Sequence, residues 1–147
     1  MPDKKTIDKA LEDKKEGKSA GTQAGEFVHD EIEKIRKGEH GARSAKQAIA
    51  IGLSEARRAG VKLAPPKKGT VSEKTRANAK RESEKGERHE PISRSRSRAR
   101  VKALKKEPIS TVSKSALSKQ GKSAAKKRSA ASRSASARKA SRTRKAH

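Results

Sequence analysis

Large apolar side chains are closely spaced in only one part of this 147-residue chain, near residues 24 to 63. At the start of that part, Val28, Ile32 and Ile35 recur at helical spacing, and the positions between them are mostly charged. The pattern predicts an amphipathic helix over residues 24–38, whose apolar stripe needs a partner surface.

A second amphipathic pattern follows after a short loop. Ser44 and Gln47 form an S-x-x-Q capping box, in which the serine accepts from a backbone amide and the glutamine reaches back to the cap residue. The helix that they introduce is predicted over residues 45–59, and with the first helix it predicts an antiparallel hairpin over residues 24–64. Small residues one turn apart form a ridge on it that would let another backbone approach closely. This small-residue ridge consists of Ala48, Gly52 and Ala56.

Outside the hairpin, large apolar residues are too sparse to predict a packed core. The predicted fold class is therefore mostly disordered with a small all-α element, the two-helix hairpin. Residues 1–23 are expected to form a flexible leader. Residues 65–90 are expected to form a linker, in which an exposed third helix could span about 71–85. Residues 91–147 are expected to form a disordered basic tail.

Charge is distributed unevenly along the chain. There are 41 Lys and Arg residues against 17 Asp and Glu, a formal net charge of +24. Residues 1–66 hold 14 basic and 11 acidic side chains, whereas residues 67–147 hold 27 and 6. From Pro108 onward there is no acidic residue. A charge of this sign and size favours association with a polyanion and opposes compaction of the second half.

The predicted function is non-enzymatic, largely sequence-independent nucleic-acid binding by a cytoplasmic, nucleoid-associated or histone-like protein. With one Phe, no Tyr and no Trp, the chain lacks the aromatic residues that stack on bases, so recognition must depend on phosphate. DNA is favoured over RNA as the partner, although phosphate contacts alone do not separate the two. The tail residues predicted to contact phosphate are Arg94, Arg96, Arg98, Arg100, Lys114, Lys119, Lys126, Lys127, Arg128, Arg133, Arg138 and Lys139.

The hairpin has charged and apolar positions that leave alternatives open. Arg43, Lys46, Arg57 and Arg58 could form a basic edge that contacts nucleic acid, or could be solvated and helix-capping groups. Ile51 lies off the main apolar stripe and could serve a homodimer contact, or could simply be an exposed isoleucine. An RNA- or ribosome-associated protein is one alternative function. The other is a protein-interaction module in which the apolar stripe and the small-residue ridge dock a partner.

No chemistry-bearing motif is found in the sequence. There is no Cys, and the four His residues are not paired at metal-ligand spacing. No glycine-rich nucleotide-binding motif occurs either. Catalytic, cofactor-binding and metal-binding residues are therefore not predicted, and no apolar stretch approaches the length of a membrane span.

Four short stretches resemble a known family. They are EFVH at residues 26–29, HGARS at 40–44, KQAIAIGLS at 46–54 and ARRAG at 56–60. Together they resemble the core of an uncharacterised family of small basic bacterial proteins, which implies a bacterial source but no established activity. The tail is similar to the Lys-, Ala- and Ser-rich tails of linker-histone-like proteins, which implies a shared mechanism of charge neutralisation.

Overall fold

A computed structural model describes residues 2–146, which contain seven α-helices and one 3₁₀ turn. The predicted fold class, mostly disordered with one hairpin, is wrong because helices also form in the expected leader, linker and tail. Met1 and His147, at the ends of the expected leader and tail, lie outside the described residues. The elements in chain order are α1 (Lys4–Lys15), α2 (Ala20–Arg36), α3 (Ala45–Arg58), α4 (Glu73–Glu87), α5 (Arg94–Leu104), the 3₁₀ turn (Ser110–Val112), α6 (Lys114–Lys126) and α7 (Ala130–Ala146).

The α2 and α3 helices pack at very short range through the small-residue ridge. A Cβ atom added to Gly52 would lie 2.6 Å from the Cα atom of Val28. Ala48 and Ala56, one turn to either side, are fully buried. The predicted reason for small residues here, close approach of a second backbone, is confirmed.

The start of α3 is fixed by the capping box. The Gln47 amide donates to the Ser44 hydroxyl oxygen over 3.2 Å. The Gln47 side-chain oxygen accepts from the Arg43 amide at 2.6 Å, one residue before the cap residue that the sequence predicted as its partner. The box therefore also ties the preceding loop to the helix.

The expected flexible leader forms α1, which packs against the hairpin. Ala10 is buried and Ile7 is partly buried, and both belong to the apolar cluster that contains Phe27 of α2 and Ala56 of α3. Two apolar positions in a polar segment are a weak helical pattern, and short helices gain most of their stability from tertiary packing. The sequence could not reveal α1 because the surface that stabilises it is formed by α2 and α3.

A second apolar cluster lies at the other end of α2 and includes a residue from the expected tail. Ile35, Ala42 and Ala48 pack there around Val112, and all four are fully buried. Val112 belongs to Leu104–Val112, which we call the clasp segment because it closes this cluster. In this cluster the tail is thus anchored by a buried valine that its polar surroundings concealed.

The expected exposed third helix, α4, packs on α3. Ser72 begins the helix by accepting a hydrogen bond from the Thr75 amide over 3.2 Å. Ala79 is buried. Gly86 lies so close to α3 that an added Cβ atom would overlap the Arg57 carbonyl oxygen. Small residues on α4, rather than large apolar ones, make this contact.

The last helix, α7, has no buried residue. The Ser129 hydroxyl accepts from the Ser132 amide at 3.1 Å and caps its start. The Arg128 guanidinium donates to the hydroxyls of Ser132 and Ser136. Alanine, lysine and arginine are strong helix formers. The prediction of disorder gave like-charge repulsion too much weight relative to this propensity and to local capping.

Ala137→Pro is expected to unfold α7 without lowering the melting temperature of the rest of the protein. Proline in a helix interior costs about 3 kcal/mol. Because α7 has no buried side chain, its unfolding removes no contact from the core. Circular dichroism should show a decrease in helical signal at an unchanged melting temperature. Ala50→Pro, on an exposed position of α3, is the control and should unfold the protein. A lower melting temperature for Ala137→Pro would show that α7 is packed.

Candidate nucleic-acid interface

The four alternating arginines of α5 lie on two sides of the helix. Arg96 and Arg100, which are four residues apart, share one face. They line a cavity of about 180 Å³ together with three acidic residues of α3, α4 and the following loop, Glu55, Glu82 and Glu90. Arg58 and Lys85 line the same cavity, so this pair has both carboxylates and other cations of the molecule near it.

The opposite face of α5 carries an exposed row of cations. This α5 outer row consists of Arg94, Arg98 and Lys102, spaced four residues apart and all exposed. Lys105, just after the helix, lines the same shallow depression as Arg98 and Lys102. Arg96 and Arg100 are exposed as well, so the two pairs of arginines differ in the carboxylates that lie near Arg96 and Arg100 and not in their exposure.

The predicted tail cations beyond α5 are all exposed. They are Lys114, Lys119 and Lys126 of α6, Lys127 and Arg128 of the connection, and Arg133, Arg138 and Lys139 of α7. The sequence has no acidic residue after Glu107, so these helices contain no carboxylate that could neutralise them. The α6 and α7 helices thus form a cationic surface.

The four cations of the predicted basic edge of the hairpin differ in their exposure. Arg43 and Lys46 are exposed at the start of α3. Arg57, in contrast, is only 7% exposed, and its guanidinium donates to the Ala64 carbonyl at 3.2 Å. Burial lowers the pKa of this guanidinium from its ordinary value. Arg57 therefore holds the chain segment that follows α3.

Arg58 is engaged with α4 and the loop after it. Its guanidinium donates to the carbonyls of Glu90 and Pro91 at 3.3 and 3.4 Å. Its Nε atom lies 3.6 Å from a carboxylate oxygen of Glu82. These partners are more than 20 residues away in the chain, so a helical projection of α3 could not distinguish Arg58 from a solvated cation.

A buried polar cluster lies between α2, α3 and α5. Glu31 is 2% exposed, and its Oε1 atom is 3.1 Å from Nε2 of buried His40. The other ring nitrogen of His40 lies 3.0 Å from the Gly41 carbonyl oxygen, and since a carbonyl only accepts, that nitrogen must carry hydrogen. Glu31 and His40 line a cavity of about 450 Å³ together with Glu55.

Sequence reasoning missed this cluster although one signal was present. Glu31 lies four residues after Phe27 and four before Ile35, so it occupies the apolar stripe of α2. A carboxylate on such a stripe is buried and needs a partner. His40 provides that partner from the loop before α3.

Burial raises the pKa of Glu31 above its ordinary value, and the neighbouring Glu55 raises it further, while His40 and Lys34 act in the opposite direction. Burial is also the main cause that raises the pKa of Glu55. A raised pKa means that folding favours the protonated carboxyl group.

Glu31→Gln is expected to become more stable relative to the wild-type protein as pH rises. The Glu31 contribution is fully present below its unfolded pKa, about 4.3, and disappears as pH rises through the higher pKa of the folded state. Urea denaturation from about pH 4 to pH 7 measures the free energies of unfolding. Glu33→Gln, on a more exposed position of α2, is the control. Parallel pH profiles for wild type and Glu31→Gln would contradict the assignment.

The hairpin faces that were candidates for docking a partner are occupied within the molecule. Ile35 of the apolar stripe is fully buried, as are Ala48 and Ala56 of the small-residue ridge. Ile51, the candidate dimer contact, is partly buried and lines the cavity beside Glu31. A partner could therefore reach Ile35 and the small-residue ridge only by displacing other parts of this chain.

Within residues 2–146, no three His, Asp or Glu side chains are arranged to hold a metal ion. The same part of the chain has no helix that is long and apolar enough to cross a lipid bilayer.

Comparison with known families identifies a family whose model matches part of this chain. Residues 3–68 match the model of DUF6496, a family of unknown function. The match covers α1, α2 and α3, and it confirms the likeness to an uncharacterised family in the part where the four motifs lie. Comparison with curated proteins and with solved structures gave no match. The cations of α5, α6 and α7 lie outside the matched region.

Proposed function

We propose that this protein is a non-enzymatic nucleic-acid-binding protein that contacts the phosphates of duplex DNA through α5, α6 and α7 with little sequence preference. The observation that chiefly supports this proposal is α7, a helix with basic residues, no acidic residue and no buried side chain. Such a helix contributes nothing to the core and repels itself, and a polyanion would relieve that repulsion. Under this proposal the protein acts in the cytoplasm, on the bacterial nucleoid.

Binding of this kind has a defined dependence on salt. Each phosphate that a Lys or Arg neutralises releases counterions, so the logarithm of the binding constant falls with the logarithm of salt concentration by about 0.9 per neutralised phosphate on duplex DNA. Arginine can contact two phosphate oxygens at once, whereas lysine acts as a point charge. The cationic surface offers both residue types, and the near absence of aromatic side chains leaves base stacking little part.

The two pairs of α5 arginines provide a matched test of the interface. Arg94→Gln with Arg98→Gln, in the outer row, is expected to weaken binding several-fold and to reduce the salt slope by up to about 0.9 for each phosphate that is no longer neutralised. Arg96→Gln with Arg100→Gln removes the same charge from the pair that has carboxylates nearby, and should change the slope less. Fluorescence anisotropy of labelled duplex DNA over a salt series measures both. Equal effects for the two pairs would contradict the proposed interface.

Full-length protein titrated with duplex DNA, RNA and heparin tests the function itself. Tightest binding to duplex DNA is expected. Tighter binding to RNA would instead assign an RNA- or ribosome-associated role, because phosphate contacts serve both polymers. Lack of binding to any polynucleotide in dilute buffer would refute the proposal.

A further inference from the structure

The clasp segment lies in the molecule as a short peptide lies in a recognition groove. The Gly41 amide donates to the Leu104 carbonyl at 2.9 Å, and the Ala42 amide donates to the Pro108 carbonyl at 3.1 Å. In the other direction, the Thr111 hydroxyl donates to the Ala42 carbonyl at 2.9 Å. Hydrogen bonds to main-chain groups thus run in both directions between the HGARS loop and the segment.

Side chains at the two ends of the segment are buried, and glycine is required opposite its middle. Val112 is fully buried against α2 and α3, and Leu104 is nearly so. The Val112 carbonyl also accepts from the Arg36 side chain at 3.3 Å. An added Cβ atom at Gly41 would overlap the Glu107 carbonyl oxygen. The groove therefore favours the pattern Leu-x₃-Pro-x₂-Thr-Val. The leucine and the valine are buried, the threonine hydroxyl donates a hydrogen bond, and the backbone before and at the proline lies close to Gly41 and Ala42.

The groove and the segment belong to different parts of the chain. The groove residues that bind the segment, from Ile35 to Ala48, lie within residues 3–68, the region that matches the family model, and the segment lies beyond it. Between them, no residue from Arg88 to Ala103 is buried. Moving the segment away therefore breaks the hydrogen bonds that Arg58 donates to the connection and opens the polar cavity beside Glu31, but it exposes no buried side chain of the connection itself.

We infer that the clasp segment is a peptide ligand of the hairpin and that the clasp segment of a second copy can occupy the same groove. The interactions in such an exchange are identical to those within one chain, so the segment of either copy fits equally well. Because the segment is part of the same chain, its effective concentration at the groove is high, so exchange between copies requires crowding or release of the internal segment.

Two full-length variants with complementary defects test this inference. Gly41→Ala blocks the groove and leaves the segment intact, whereas Val112→Asp disables the segment and leaves the groove intact. Each variant alone should be monomeric in analytical ultracentrifugation, and an equimolar mixture should contain a one-to-one complex. The measurement is made in high salt after nuclease treatment, so its result does not depend on the proposed nucleic-acid binding.

A labelled peptide of residues 103–114 gives an independent measurement on the Val112→Asp chain. Ile109, which is 52% exposed, lies in the same segment and provides the matched control. The peptide carrying Ile109→Asp should bind as the unmodified peptide does, and the peptide carrying Val112→Asp should bind at least about tenfold more weakly, because a buried apolar anchor is removed. Should Val112→Asp disturb the hairpin helices in circular dichroism, Val112→Ala replaces it in both experiments. A mixture that stays monomeric together with a peptide that does not bind would overturn the inference.

Discussion

Deleting residues 128–147 is expected to weaken binding to duplex DNA at least about 100-fold at low salt while the remaining fold stays intact. The deletion removes α7 and seven basic residues, and α7 has no buried side chain. Each phosphate that the shortened protein no longer neutralises should also flatten the salt slope by about 0.9. Anisotropy titrations over a salt series give affinity and slope, and thermal melting followed by circular dichroism shows whether the core is unchanged.

Two further variants show whether the loss of DNA binding comes from the charge of α7, from the loss of its helix, or from a lower net charge of the whole protein. Replacing every Lys and Arg of residues 128–147 by Gln should weaken binding as much as the deletion while α7 stays helical, because glutamine is also a good helix former. Replacing Lys4, Lys5, Lys14 and Lys15 of α1 by Gln lowers the net charge elsewhere and should have a small effect. An effect as large for the α1 variant as for the α7 variant would contradict the assignment of binding to α7.

Gly52→Ala is expected to destabilise the protein by about 1–3 kcal/mol, whereas Gly25→Ala is expected to stabilise it by about 0.5–1 kcal/mol. Both glycines lie inside helices, so alanine favours the helix equally at the two positions. The difference is steric. The methyl group at position 52 would meet the Val28 backbone, which cannot move without separating α2 from α3, while the methyl group at position 25 has no neighbour within 4 Å.

Urea denaturation of the two variants beside the wild-type protein measures these free energies of unfolding. The same substitution is made at both sites, so the gain in helix propensity is the same for both variants. The sign of the change in the free energy of unfolding then reports the steric difference alone. Stabilisation by Gly52→Ala would show that α2 and α3 do not approach as closely as the structure places them. DNA affinity should be the same for both variants, since neither glycine belongs to the cationic surface.

The parts of this fold that the sequence could predict are those whose information is local. The α3 helix carries its own capping box, its own apolar face and its own small-residue ridge, and it spans Ala45–Arg58 where residues 45–59 were predicted. The α1 helix and the clasp segment could not be predicted, because each contributes only a few buried side chains. Their stability comes from surfaces that other elements form, such as the cluster around Val112.

The same distinction applies to the candidate interface. Exposure of the α6 and α7 cations follows from a sequence that contains no acidic residue after Glu107. The division of the α5 arginines follows from helical periodicity, but only once the segment is known to be a helix. The inward orientation of Arg57 and Arg58 depends on partners in other segments, Ala64 and Glu90 among them, and no local pattern reports it.

The late position of Val112 in the chain has a consequence during synthesis. A ribosome completes α3 at Arg58 well before it reaches Val112, and at roughly 5–20 residues per second this interval lasts roughly 3–11 s. For that time the nascent hairpin carries an open apolar hole beside Ile35 and Ala48. During this interval a chaperone, or another nascent chain on the same messenger RNA, can bind the exposed apolar surface before Val112 of the same chain has been synthesised and covers it.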